Sequence, residues 1–540
     1  MKNYLTISFL VLFMGCKPGT NDNNNFVEVD QSTIGRHIER LASDEFLGRR
    51  PFTEGEVKTV NYLKEEFSKL GLLPGNGDSY FQDVPMVEII GTPSEKMTIK
   101  GANEDLNLAY FDDFVVFTLK TEKEVNLENS ELVFAGYGIV APEYGWNDYE
   151  GIDWTGKTAV VLVNDPGFGS GDTTLFKGND MTYYGRWTYK YEEAGRQGAA
   201  GVIIIHETEP ASYGWNVIQS SWSGSQLNLE NDVPVTDVQG WITTKSAEKL
   251  FEASNLENKN FKELAKSKDF NAVPLGLTAS VKIINKIKRI VSKNVIALLP
   301  GTERKDEYII YSAHWDHFGV GKPVNNDSIY NGAVDNASGT ACLLAIAETF
   351  KKSEQPKRSI VFIAVTGEEQ GLLGSAFYCK NPIYEPEKSV ANINMDALLS
   401  PGPMKDLTII GFGHSEMDEY AKEAAEKQGR YVIPDPEAEK GYFFRSDHFN
   451  FVKIGIPALY ASGKYEGFEK SIDFIKEMND DYDNNKYHQP SDEYDPASFE
   501  LSGIQFDAQL LYEIGLKLSN EDYFPKWYDR SEFKAARENN

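Results

Sequence analysis

Short, almost uninterrupted apolar runs punctuate the chain from Lys288 onward: Val295–Leu299, Tyr308–Ala313, Ser359–Val365, Ala391–Met395, Leu407–Ile410 and Ile456–Tyr460. Between them lie stretches with apolar residues three and four apart, at 337–351, 372–379 and 415–428. Apolar strands alternating with helices predict an α/β fold with a mostly parallel central sheet flanked by helices. Residues 33–71 also read as mostly helical, with Tyr62, Leu63, Phe67 and Leu70 at helical spacing and Gly71 as a C-terminal stop. β-like runs dominate the middle, at 132–139 and 158–163. A helix over 189–197 then leads into a strand at 201–206, which suggests a small α/β unit of its own. No internal repeat is visible, and residues 521–540 read as polar and peripheral.

The beginning of the chain reads as an address rather than as fold. Lys2 precedes the apolar stretch Leu5–Met14, whose ten residues are too few to cross a bilayer. Gly15-Cys16 and the polar run Lys17–Asn25 follow. The segment resembles a bacterial lipoprotein signal, which implies cleavage before Cys16, a lipid on its thiol, and 17–25 as a tether. Phe13 departs from the aliphatic residue usual there, and ordinary secretory cleavage is the alternative. The expected location is the bacterial cell envelope, periplasm or outer membrane, with membrane contact only through Cys16.

Composition narrows the function. The 540 residues are 41% hydrophobic and 12% aromatic, enough for a large core and more than one domain. The net charge of −28 lacks the basic footprint that a nucleic-acid partner needs. Three cysteines, Cys16, Cys342 and Cys379, exclude a disulfide scaffold and a thiolate metal cluster. Cys342 and Cys379 are most simply small buried apolar groups.

In open α/β sheets, sites form beyond the carboxyl ends of strands. His314-Trp-Asp316-His317 follows the run 308–313, and Thr366-Gly-Glu368-Glu369 follows 359–365. Asp396 follows 391–395, Asp335-Asn336 precedes the helical stretch at 337, and Tyr487-His488-Gln-Pro-Ser-Asp492 lies near the C-terminus. Each has a plain alternative: Asp335 as a helix N-cap, His314 as a core histidine bonded to Asp316, His488 as an exposed histidine, Glu368-Glu369 as solvated acids. Four acid- or histidine-bearing segments nevertheless fall where one strand-end crevice would collect them. Two histidines and three carboxylates without cysteine suit zinc or another borderline divalent ion. The +4 of two such ions is offset by Asp335, Glu369 and Asp396 with one hydroxide, so the cluster tolerates a low dielectric. Glu368 is left free to take a proton, and Asp316 is placed to orient His314 through its second nitrogen.

The stretches HWDH, NGAVDNASGTA, TGEEQGLLGS, NMDA, RSDH and YHQPSDEYD, within about 295–500, resemble the M28 family of zinc peptidases, as does LASDEFLGRRPFTEGE near the start. The resemblance implies a zinc-exopeptidase-like fold, two Zn²⁺ per chain and peptide substrates. It places one zinc on His314, Asp335 and Asp396 and the other on Asp335, Glu369 and His488. Asp335 bridges, Glu368 is the general base, and Tyr487 donates to the oxyanion. It further implies a cis peptide between Asp335 and Asn336. With that set full, His317 and His448 read as surrounding residues. Arg445 is a candidate anchor for a substrate carboxylate, with a structural salt bridge as its plainer role.

Gly136-Tyr-Gly138, the turn Asp153–Lys157 and Glu193–Gly201 resemble a protease-associated domain. The expected layout is 1–16 signal, 17–25 tether, 26–120 and 286–525 catalytic domain, 121–285 inserted domain, and 526–540 tail. The strand at 158–163 is expected outside the sheet that holds 359–365. The expected activity is two-zinc exopeptidase, aminopeptidase favoured. Glutaminyl cyclase, carboxypeptidase or a non-catalytic binding protein on the same fold are the alternatives.

Overall fold

The predicted apolar runs after Lys288 form strands, and their order explains why polar residues collect at one end. A computed structural model describes residues 27–101, 105–230, 235–254, 260–399 and 401–538, so the leader expected at 1–16 lies outside the described residues. Four strands run parallel in the spatial order Arg358–Val365, Arg304–His314, Ser389–Asn394, Ala458–Ser462. Antiparallel neighbours flank this block, Val273–Leu299 on one side and Asp406–Ile409 on the other. The sheet is therefore mixed, parallel at its centre and antiparallel at its borders. The helices Gln31–Leu41, Glu54–Lys69, Gly339–Lys352, Met417–Lys427 and Ser502–Asn520 bury their apolar faces in its main core. Gly71, just past the second of these, has φ 69, the left-handed turn its position predicted.

The expected domain layout changes in three ways. Side chains from Met97 to Ile283 fill separate apolar clusters, so the second lobe begins before residue 121: Met97, Ile99, Leu108, Phe114 and Val116 already belong to it. The strand Val273–Leu299 is 27 residues long and pairs with the second lobe at Val273–Ile284 and with the parallel block at Val295–Leu299. Strand Thr158–Leu162 and strand Arg358–Val365 thus share one continuous hydrogen-bonded sheet, and the expected separation into two sheets does not hold. Finally, the stretch read as a tail is partly core. Trp527 and Phe533 are buried against Met181, Phe444 and Phe449. No helix among the described residues is long and apolar enough to cross a membrane.

Candidate metal and catalytic site

His314 ends its strand in register with Val365 of the neighbouring one, and Ser312 pairs with Asn394. The chain beyond these points brings His314, Glu368, Glu369 and Asp396 to one end of the sheet. Asp335 arrives from the irregular turn before the helix Gly339–Lys352, and the peptide joining it to Asn336 is cis. One Asp335 oxygen lies 3.2 Å from His314 Nε2 and the other 3.2 Å from His488 Nε2. Asp396 Oδ1 is 3.1 Å from His314 Nε2, and Glu369 Oε2 is 3.2 Å from His488 Nε2. Glu368 Oε2 stands back, 3.8 Å from His314 Nε2.

Two sets of donor atoms lie within 4.8 Å of one another, His314/Asp335/Asp396 and His317/Asp335/Glu369. The first is the expected set. The second contains His317, read from the sequence as a surrounding residue. Its Nδ1 is 2.5 Å from Glu369 Oε1, and its buried Nε2 has no partner. His488 and His317 therefore meet different oxygens of Glu369. A count that stopped at five donors hid His317, although it lies three residues from His314.

Asp316 corrects another expectation. His314 Nδ1 is 3.2 Å from the Asp316 backbone carbonyl and 3.9 Å from its carboxylate. The side chain instead accepts the Glu368 backbone N–H at 3.1 Å, so it fixes the turn that carries the base. Burial pushes Asp316 up to about 7, and its second oxygen has no partner.

The other supports were not legible beforehand. Asp492 accepts the backbone N–H groups of Val334 and Asp335 at 3.0 and 3.1 Å, clamping the bridging residue. Asn336 donates to Met395 O at 3.0 Å and accepts from Ala397 N at 3.3 Å, tying the Asp335 turn to the Asp396 turn. Ser446 Oγ donates to Asp396 Oδ2 at 2.5 Å. Arg49, 1% exposed, donates to four backbone carbonyls: Trp315 at 2.9 Å, Leu41 at 2.8 Å, Asn331 at 2.5 Å and Gly332 at 2.8 Å. This one guanidinium joins the first helix to two of the loops that carry donors, those of His314 and Asp335. Its approach depends on Gly48, at φ 62, where a Cβ would sit 2.4 Å from Tyr330 O.

The electrostatics follow from crowding acids into a dry site. Burial lowers His314, but the facing carboxylates of Asp396 and Glu368 outweigh it and hold the ring well above the usual imidazole range. His488 rises to about 10 against its burial, mainly through Glu369. Burial pushes Glu368 well above the usual carboxylate range, and Asp396 and Glu369 add to the push. Glu369 itself, despite burial and the charge of Asp335, is brought down to about 2 by His488 and His317. A cation set between these carboxylates would supply the positive charge that the histidines now provide. The shared Asp335 and the sulfur-free donor set fit divalent zinc. Tyr487 stacks on His488 with ring centres 3.7 Å apart and is 47% exposed.

Residues 294–508, which contain every donor named above, match the family model described as Peptidase family M28. This domain belongs to peptidase family M28. Aminopeptidase NAALADL1 of Mus musculus is 34% identical over 129 residues, which cover 23% of this chain and 16% of that protein. A probable glutamate carboxypeptidase LAMP1 of Arabidopsis thaliana is 24% identical over 389 residues, 62% of this chain and 51% of that one. The matches thus span from about a sixth to half the length of these relatives. Among solved structures, an aminopeptidase from Aneurinibacillus sp. strain AM-1 is 20% identical with a TM-score of 0.49, covering 92% of this chain and 96% of that one. In the M28 domain of this chain, the five expected donors and Glu368 all meet in one cluster.

Proposed function

We propose that this chain is a two-zinc exopeptidase and, within that class, an aminopeptidase. The observation that carries the reading is Asp335, whose two oxygens face two different histidines 3.2 Å away, so that this one carboxylate would be shared by two ions. His314, Asp335 and Asp396 would hold one zinc. Asp335, Glu369 and His488 would hold the other, with His317 steadying Glu369. When bound, the zinc pair acidifies a water and polarises the scissile carbonyl. Glu368 accepts a proton from the attacking water at its carboxylate and returns it to the leaving amine nitrogen. Tyr487, exposed beside His488, donates its phenolic O–H to the developing oxyanion. The remaining expectations belong to the same proposal: export to the cell envelope with a lipid on Cys16, and a second lobe of the protease-associated kind beside the cleft.

A peptide with a free amino terminus and its N-acetylated twin test the assignment. Only the free-amine form should be hydrolysed, and equal hydrolysis of both would refute an aminopeptidase. The histidine roles have their own test. His488→Ala should leave about one zinc per chain after dialysis. His317→Ala should keep both ions with roughly 10–100-fold weaker binding, the usual effect of losing a partner behind a ligand. The reverse pattern in zinc content would exchange the two roles.

A further inference from the structure

Glu28 and Val29 lie on the helix Ser502–Asn520. Gln509 Oε1 accepts from Val29 N–H at 2.8 Å, and Gln505 Nε2 donates to Val29 O at 3.1 Å and to Glu28 Oε1 at 3.2 Å. The next residue of that helix, Phe506, has its ring 6.2 Å from that of Phe468. From Phe468 the chain runs through an exposed stretch into the helix Ile472–Asp481. Phe468, Ile472 and Phe474 are 44%, 60% and 46% exposed, and within this helix only Ile475 is buried. A surface helix normally turns its apolar residues inward, whereas this one leaves Ile472 and Phe474 outside. The stretch is nevertheless held in shape. Phe468 N–H donates to Pro403 O at 3.0 Å, Ser471 Oγ caps the helix by accepting from Phe474 N–H at 3.3 Å, and Asn479 Nδ2 donates to Lys464 O at 2.9 Å. Lys470 Nζ lies over the ring of Phe474, 5.5 Å from its centre.

Single apolar side chains on a surface need no explanation, but three large ones within seven residues, beside the place where the chain leads toward Cys16, do. Residues 17–27 separate Cys16 from Glu28, and a chain of that length spans about 40 Å at most. A lipid on Cys16 would therefore keep the face that carries Glu28, Phe506 and Phe468 turned toward the bilayer. At a headgroup boundary, aromatic and aliphatic side chains gain by leaving water, and the long stems of Lys470 and Lys476 let their charges stay in it. Glu469, Asp473 and Glu477 lie in the same stretch and the whole chain carries −28, so a strongly anionic bilayer would repel it. We propose that Phe468, Ile472 and Phe474 form a patch that enters the headgroup boundary of a bilayer of low net charge, a second contact besides Cys16. The proposal rests on the reading of Cys16 as lipid-bearing for the face held against the bilayer, though not for the affinity of the patch itself. The helix leads directly to Tyr482, whose ring lies 6.1 Å from that of Tyr487, the neighbour of His488. Contact at this helix thus sets the height of the metal cluster above the lipid.

The test uses the full chain expressed in a bacterium and mixed with vesicles of phosphatidylcholine and phosphatidylethanolamine. A nitroxide label is placed at Ile472→Cys, at Phe474→Cys or, on the second lobe, at Val217→Cys. Cys342 and Cys379 are buried and will not take it, and the unsubstituted chain treated alike gives the background from Cys16. With vesicles, the labels at 472 and 474 should lose contact with a water-soluble nickel chelate and gain contact with oxygen, which concentrates in lipid. The label at 217 should keep its contact with nickel. Adding Phe468→Ser and Phe474→Ser to the labelled Ile472→Cys chain should return its label to water, while cooperative melting shows that the fold is kept. The mass of the Cys16 peptide is read alongside. Labels at 472 and 474 that stay in water with vesicles present, all three labels equally shielded, or labels shielded without vesicles, as a second copy would produce, would overturn the patch. Shielded labels on a chain whose Cys16 carries no lipid would uphold the patch and sink the lipid reading. A lipid on Cys16 with both labels in water would do the opposite.

Discussion

Glu368→Gln should lower kcat by roughly 10²–10⁴-fold while the chain keeps its fold and both zinc ions. The amide has the size of the carboxyl but cannot take the proton of the attacking water. Because the lesion lies in the chemical step, kcat should fall far more than KM rises. The adjacent Glu369→Ala should behave differently. Glu369 Oε2 lies 3.2 Å from His488 and its Oε1 2.5 Å from His317, so its loss removes a donor that two histidines are aimed at. Zinc content should drop toward one per chain, and stability should drop with it, since metal binding adds to folding. Zinc per chain and kcat on both variants decide the matter. An active Glu368→Gln enzyme, or one that loses metal while Glu369→Ala keeps it, would show that the roles are misassigned.

Arg49→Met should cost about 3–5 kcal/mol, the range seen when one side of a buried charged network is removed. Four backbone carbonyls would lose their donor at once, in a place where water cannot easily replace it. The thermal midpoint should fall by several degrees. Zinc affinity should fall too, because Trp315, Asn331 and Gly332 belong to the loops that present His314, His317 and Asp335. Arg49→Lys keeps the charge but not the fork, and should lie between the two. Unchanged melting in Arg49→Met would mean that these loops hold their shape by other means.

Much of the site was legible because parallel strands leave a consistent signature. Each is apolar along its length and polar just beyond its end, so His314, Glu368, Glu369 and Asp396 stood out by position. Asp335 and His488 carried weaker signals, since an Asp before a helix and a His near a chain end are ordinary; they counted only together with the strand-end residues, and the family resemblance supplied their roles. Arg49 could not be told from Arg50 in a GRRP string; its burial comes from the left-handed backbone at Leu47, Gly48 and Arg49, at φ 50, 62 and 52. The long strand Val273–Leu299 escaped for a related reason. Lys282, Lys286, Lys288, Arg289 and Lys293 interrupt it, and it is only half-buried where it crosses between the two lobes. The helix Ser502–Asn520 was passed over because it is apolar on most sides, as a helix laid into a core must be.

That long strand bears on where the protein can be cut. The stretch that resembles known peptidases, 294–508, contains every candidate metal donor and Glu368, yet its ends cut through one sheet and one core. Its first strand would begin at the last few residues of Val273–Leu299, stripped of Phe81–Pro93, which pairs with Ile283–Val295. Its core would lack Ile34, Ile38, Phe46, Leu63 and Phe67 from upstream and Leu510, Leu511, Ile514 and Leu518 from downstream. Such a fragment would carry a bare strand edge and an uncovered apolar face, the two features that make a soluble chain aggregate. Recognisable ancestry and autonomous folding thus have different boundaries here, and a fragment meant to remain soluble has to follow the second.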